Sequence, residues 1–506
     1  TVIVPDGNVL TVEPGTEVFI EDANSLIVHG QLLANGTESE PIRFTHYGNG
    51  TTWDRIMFIE AADSLLTHCI IEYSDCEGDH KDYYDNDCDP DTPPLPRTYQ
   101  EAIVSLASHI DIESCLFQNL PDSVGSREGD AIAIVSDDPE YPGEASANVL
   151  GCRFLSIGAG VHTRYSYVLV EDCFFTDHHG DNDDVDLYGE SVPVPMIRNN
   201  LFLDSYDDYI NPTRCSAVFI GNVVIGGDRT DSGVVLRDRC SPVMINNLIY
   251  NCNSSGIAVQ NQCNALLINN TIVDCGAGIK MWDHTSRRGP PYCLYPGSGS
   301  ATVVNCIIWD CPKSLNLANS PWEGDRGSHA TVLNCNIEGG QASASVSSYS
   351  TLTWGSGNIN ANPQFADVGN LDFHLKSTAG RWDPTGEAWV YDAVDSPCID
   401  AGTSYLVDDP NYAYSGLIDW RGELWPHGKL INIGAYGGTP QAGMSASPEG
   451  NPADTNNDGA VNGADLLLLA RMWLREDVLL HEDISRDNSV DLQDLARLGK
   501  GWGWKE

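Results

Sequence analysis

Asn200-Leu201-Phe202-Leu203, Asn222-Val223-Val224-Ile225, Asn247-Leu248-Ile249-Tyr250 and Asn270-Thr271-Ile272-Val273 are four short apolar runs, each opened by asparagine and spaced 22, 25 and 23 residues apart. Their β-branched and aromatic residues read as strands. One such strand cannot bury its inner face alone, whereas stacking each repeat on the next builds a continuous core. The pattern extends outward with cysteine in place of asparagine. Before it stand Cys69-Ile70-Ile71-Glu72, Cys115-Leu116-Phe117-Gln118, Cys152-Arg153-Phe154-Leu155 and Cys173-Phe174-Phe175-Thr176, and after it Cys306-Ile307-Ile308-Trp309 and Cys335-Asn336-Ile337-Glu338. A leucine-rich repeat has a similar period, but its LxxLxLxxN signature and helical half are missing. The expected fold is all-β, a right-handed parallel β-helix.

The column that opens each run holds only asparagine or cysteine. Asparagine at a coil corner can ladder its amide onto the asparagines above and below, and cysteine is a small, weakly polar substitute. Cys215, Cys240 and Cys263 form a second column, and Cys252, Cys275 and Cys311 a third. Coils about 4.8 Å apart lie within disulfide reach, so each column admits one bridge or a stack of buried free thiols. The sixteen cysteines suggest an oxidising compartment. The chain opens on Thr1, as a mature secreted protein does, and no apolar run is long enough to span a membrane. An insertion over 74–97, rich in Asp, Tyr and Pro, is expected to be a loop closed by a Cys76–Cys88 bridge, and a second insertion spans 283–299.

Lys plus Arg number 27 and Asp plus Glu 72, a formal net charge of −45. That balance excludes a general nucleic-acid binder, which needs a basic face, and disfavours anionic membranes.

The N-terminal Val9-Leu10-Thr11-Val12, Leu26-Ile27-Val28 and Pro41-Ile42-Arg43-Phe44 read as the first coils, with no capping helix ahead of them. Beyond Cys335 the coils fade into Asn362-Pro363-Gln364-Phe365, Asp372-Phe373-His374-Leu375, Ser396-Pro397-Cys398-Ile399-Asp400-Ala401-Gly402 and Asn432-Ile433-Gly434-Ala435-Tyr436. Coils and closing cassette together resemble a broad family of bacterial secreted and cell-surface β-helix proteins. The resemblance covers most of residues 1–440. It implies a pectate-lyase-like solenoid and leaves the activity open.

After a linker at 441–452 the character changes. Asp454, Asn456, Asp458, the Ala460 carbonyl, Asn462 and Asp465 stand at positions 1, 3, 5, 7, 9 and 12 of a calcium loop, with Gly459 at the sharp turn. Asp483, Ser485, Asp487, Ser489, Asp491 and Asp494 repeat the set 29 residues later, with Asn488 at the turn. Each loop leads into an apolar helix. The 453–506 segment resembles a type I dockerin, which implies two Ca2+ ions. Positions 10 and 11 are Gly463-Ala464 and Leu492-Gln493. The hydroxyl pair common in that family is absent, so docking on its own chain or on another copy is expected in place of cohesin binding.

For chemistry, Asp183, Asp207 and Asp231 recur every 24 residues, with Asp184 and Asp208 beside them and Ser232 and Ser255 following. Carboxylates one coil apart can share calcium, raise one another's pKa as an acid/base pair, or simply cap solvated turns. Lys280 is expected to point outward. With Arg237 it is the candidate base of a polysaccharide lyase, and Arg229, Arg239, Arg287, Arg288 and His284 stand nearby in the sequence. Two functions follow. One is a secreted calcium-binding surface or matrix protein, self-assembling head to tail into filaments through an open first edge. The other is a calcium-dependent polysaccharide lyase or glycoside hydrolase.

Overall fold

The computed structural model describes residues 1–48, 52–74, 99, 101–120, 129–138, 140–178, 183–205, 207–227, 230–283, 297–318, 327–407, 416–477 and 479–506. Most of the chain forms a parallel β-helix. Three sheets run its length, from Val2–Val4 to Ser345–Val346, from Val9–Val12 to Thr351–Trp354 and from Glu17–Ile20 to Asn336–Ile337. They hold 13, 13 and 12 strands, and each strand pairs with its equivalents in the coils before and after it. All the pairings between coils are parallel, for example Val224↔Ile249 and Ile249↔Ile272. The period seen in the sequence is therefore one coil.

The interior is built from stacked like residues. Phe117, Phe154, Phe175 and Phe202 form one rising column, with ring centroids 4.9, 4.5 and 4.7 Å apart. All four are fully buried. Glycine marks a corner where no side chain fits: a Cβ at Gly233, Gly256 or Gly278 would strike Cγ2 of Ile249, Ile272 or Ile308.

The asparagine–cysteine column is a continuous hydrogen-bond ladder. The backbone N–H groups of Asn200, Asn222 and Asn247 donate to the side-chain oxygens of Asn222, Asn247 and Asn270 at 3.1, 3.0 and 3.0 Å. Each amide NH2 donates to a carbonyl of the preceding coil, as Asn222 does to Ile197 at 2.8 Å. Cysteine reproduces both contacts. Cys152 N–H donates to Cys173 Sγ at 3.3 Å, and the Cys173 thiol donates to the Val149 carbonyl at 3.4 Å. Of the two alternatives for the cysteine columns, the structure shows free thiols: among the described residues thirteen cysteines are free and buried, including Cys215, Cys240, Cys263, Cys252, Cys275 and Cys311. In these columns Cys240 N–H donates to Cys263 Sγ at 3.4 Å, and the thiols of Cys275 and Cys311 each donate to the carbonyl two residues before them at 3.4 Å. Cys76 and Cys88, with most of the 74–97 insertion, lie outside the described residues.

The cassette folds back along the solenoid. Asn246, Asn269 and Asn305 occupy one left-handed corner column, with φ between 53° and 57°. Their amides donate to the carbonyls of Ala435, Asn432 and Thr403 at 2.7, 2.9 and 2.8 Å. Ile418 and Ile431 then cover the outer faces of Val243, Ile245 and Ile268.

Two helices follow, α1 (Gly463–Arg471) and α2 (Leu492–Gly501). Both open on capping boxes, Asn462 with Asp465 and Asp491 with Asp494. Among the described residues no helix is long and apolar enough to cross a membrane.

Candidate active groove

Side chains of a strand alternate between faces. In the first sheet Ile132, Val161, Val185 and Ile210 stack inward. Outward, Ala133, His162, Asp186 and Asn211 form one row, and Val135, Arg164, Tyr188, Thr213 and Arg237 the next. A third row lies at the corner that leads into each strand. It includes Glu101 and Asp130, which are paired in register, and counting along the same registers continues it through Ala159 to Asp183, Asp208 and Ser232. An acidic row, a mixed row and a basic and aromatic row thus run side by side across several coils.

Two groups stand out. Asp183, Asp207 and Asp208 bring carboxylate oxygens within 4.8 Å of one another. Asn211 Nδ2 donates to Asp183 at 2.6 Å, Ser232 N–H to Asp208 at 2.9 Å, and Arg237 Nη2 lies 3.4 Å from Asp208. Burial, with the charges of Asp208 and Asp186 beside it, pushes the Asp183 pKa well above the usual carboxylate range, although Arg237 and Asn211 pull it down. Burial likewise raises Asp208, to about 7, against the pull of Arg237. One proton shared by this pair near neutral pH is the electrostatic consequence.

Glu101, Asp130 and His162 form the second group, again with candidate ligand atoms within 4.8 Å. His162 Nδ1 lies 3.3 Å from Glu101 and 3.9 Å from Asp130. Burial works against the imidazolium, but Asp130, Glu101 and Asp186 outweigh it and lift His162 to about 10. Along the basic row, Arg164 sits over the Tyr188 ring at 4.8 Å and Arg214 at 5.5 Å.

The candidates from the sequence separate. Asp183, Asp207, Asp208 and Arg237 meet, but in a different register from the 24-residue spacing: the coil step here is 25, and Val185 pairs with Ile210. Asp183 therefore aligns with Asp208, and Asp207 with Asp231, whose N–H donates to the Asp207 carbonyl at 3.3 Å. Asp231 is exposed and stands outside the cluster. Asp184 turns inward against His178 and accepts from Ser205 Oγ at 3.1 Å. Lys280 does point outward, but its partner in register is Ala258, beyond Val235 and Asn211. Three coil spacings of about 4.8 Å separate it from Asp207 and Asp208, and four from Asp183. It packs over Trp282 at 4.1 Å and approaches Ser254 Oγ at 3.4 Å. Arg229, His284, Arg287 and Arg288 lie outside the described residues. Glu101, Asp130, His162 and Asp186 were missed. The parallel wording of Glu101-Ala102-Ile103 and Asp130-Ala131-Ile132, one coil apart, is the signal that could have found the first two.

The two C-terminal loops stand apart from these groups. Gly459 and Asn488 both take left-handed turns, with φ of 86° and 70°. Asp465 and Asp494 are fully buried, and each accepts two N–H groups of its own loop, Asp494 from Ser485 at 2.7 Å and Asp491 at 2.8 Å. Asp483, Asp487 and Asp494 gather carboxylate oxygens within 4.8 Å. Hard oxygen donors around a tight turn fit calcium.

Two family models match parts of the chain, the right-handed β-helix region over residues 141–288 and a disaggregatase-related region over 246–402. The β-helix is thus right-handed. No curated protein matches the chain. Among solved structures, a periplasmic alginate epimerase, AlgG, is 11% identical with a TM-score of 0.41, covering 70% of this chain and 82% of its own. The alginate lyase AlyF-OU02 is 11% identical at a TM-score of 0.43, covering 87% and 92%. A mannuronic acid specific family 6 polysaccharide lyase from human gut microbiota is 12% identical at 0.38, covering 71% and 88%. The likeness is one of β-helix architecture.

Proposed function

We propose that this protein is a secreted, calcium-binding enzyme that cleaves an extracellular polysaccharide, as a lyase, at the groove on the first sheet. The carrying observation is the Asp183–Asp208 pair, set on consecutive coils with Arg237 against it. Lyase chemistry removes a proton beside a carboxylate and returns one to the departing sugar oxygen. A pair that shares one proton near neutral pH provides both partners. Arg237 supplies a positive charge where negative charge develops on the substrate.

Hydrolysis is the second reading, favoured by the same raised carboxyls. Oxygens within 4.8 Å leave no room for the water of an inverting mechanism, which needs carboxyls roughly 6.5–9.5 Å apart. Catalysis is favoured over a head-to-tail filament by the convergence of Asp183, Asp207, Asp208 and Arg237 at one place on the first sheet.

Calcium is assigned to the loops that start at Asp454 and Asp483, in a dockerin-like unit over 453–506. A panel of uronate-bearing and neutral polysaccharides tests the proposal. Unsaturated products, abolished by Asp208→Asn, are expected. Reducing ends without unsaturation would replace the lyase by a hydrolase, and no product from any substrate would reject both.

A further inference from the structure

A second cleft, of about 810 Å³, lies between the cassette and the C-terminal unit, far along the chain from the groove residues. Trp389, Tyr391 and Trp425 form one wall, and Arg486, Arg497 and Lys500 stand on the other. The two walls are tied together. The Arg486 guanidinium donates to the Trp425 carbonyl and lies 5.6 Å from the Trp389 ring centre, and Asn457 Nδ2 donates to the Arg421 carbonyl at 3.1 Å. Asn457 and Arg486 occupy the same fourth position of their loops, so both loops grip the cassette with one residue each.

Behind the walls of this cleft, Trp425 Nε1 and Arg486 Nη1 are buried donors without a protein acceptor. Asp454 and Asp483 also line it, but their carboxylates are turned into their own loops. Asp454 accepts from Asp458 and Gly459, and Asp483 from Asn488 at 2.9 Å. What faces the cleft is aromatic and cationic, on a chain whose net charge is −45.

We propose that this cleft is a second carbohydrate site, which takes a short oligosaccharide bearing carboxylate groups. Sugar rings present flat C–H faces that suit the exposed Tyr391 and its tryptophan neighbours. A carboxylate pairs with the cationic wall of Arg486, Arg497 and Lys500 in charge-assisted bonds. The site adds a binding function that tethers the enzyme to its polymer, and its argument does not rest on the groove.

The test is titration calorimetry on the full chain with calcium present, in an Asp208→Asn background, using tetragalacturonate as probe and cellotetraose as the neutral control. Tetragalacturonate is expected to bind saturably, and Trp425→Phe combined with Tyr391→Ala to weaken that binding tenfold or more. Tyr391 is 74% exposed, so Tyr391→Ala alone keeps the test valid should the double variant fold poorly. Cellotetraose is expected to bind at least tenfold more weakly. No binding of tetragalacturonate, an affinity unchanged by both substitutions, or equal affinity for cellotetraose would each overturn the proposal. Binding that the cleft variants remove, in a protein that cleaves nothing, would sink the groove reading and leave this one standing.

Discussion

Replacing Asn222 by alanine and by cysteine measures what the corner ladder contributes. In the native coil, Asn222 Oδ1 accepts from Asn200 N–H at 3.1 Å, and its NH2 donates to the Ile197 carbonyl at 2.8 Å. Alanine strips a partner from both of these backbone groups at a site only 1% exposed. At about 1–3 kcal/mol for each orphaned buried group, the expected loss is about 2–6 kcal/mol. Cysteine keeps both roles, since Cys173 already takes an N–H at 3.3 Å and gives its proton to a carbonyl at 3.4 Å. Asn222→Cys is therefore expected to cost about 1–2 kcal/mol, the difference between amide and weaker thiol bonds. Urea unfolding followed by circular dichroism reads both as shifts in midpoint at unchanged slope. An alanine variant as stable as the parent, or a cysteine variant as unstable as alanine, would refute the view that the two residues are interchangeable hydrogen-bonding corners.

Asp208→Asn is expected to lower polysaccharide cleavage by about 10²–10⁴-fold without unfolding the chain. The parent's rate should rise with pH through about 7 if Asp208 is the base, because only its ionised form takes a proton; a flat profile would exclude that role. Glu423 is held near pKa 8 by burial, although Asn432 and Gly438 N–H groups donate to it. A carboxyl raised in the folded state stabilises fully below its unfolded pKa, and that contribution is lost as pH rises through 8. The loss is about 5 kcal/mol by linkage, and Glu423→Gln should flatten the fall in Tm over this range. Burial raises the thiols of Cys115, Cys152, Cys173 and Cys335, so native alkylation with iodoacetamide should leave all thirteen described cysteines unmodified, and alkylation in urea should reach them. Fast labelling of the native protein would show that the ladder opens.

The repeat of Asn200, Asn222, Asn247 and Asn270 was sufficient to predict stacked coils, because a strand of this composition has one way to bury its inner face and the period counts one turn. The two C-terminal loop–helix units were legible for a similar reason: the turn residue, the capping residues and the helix start all lie within twelve consecutive residues. The groove was not legible in the same way. Which carboxylates meet depends on a one-residue difference in coil length, which pairs Asp183 with Asp208 and sets Asp231 aside. Corner geometry turned Asp184 inward and brought Glu101, 61 residues away in sequence, against His162. Spacing along the chain carries no record of those choices, because parallel register fixes them through contacts between coils. Nor could the sequence tell a disulfide column from a thiol ladder, since both need cysteines one coil apart; only the positions of the carbonyls and N–H groups around each sulfur decided it.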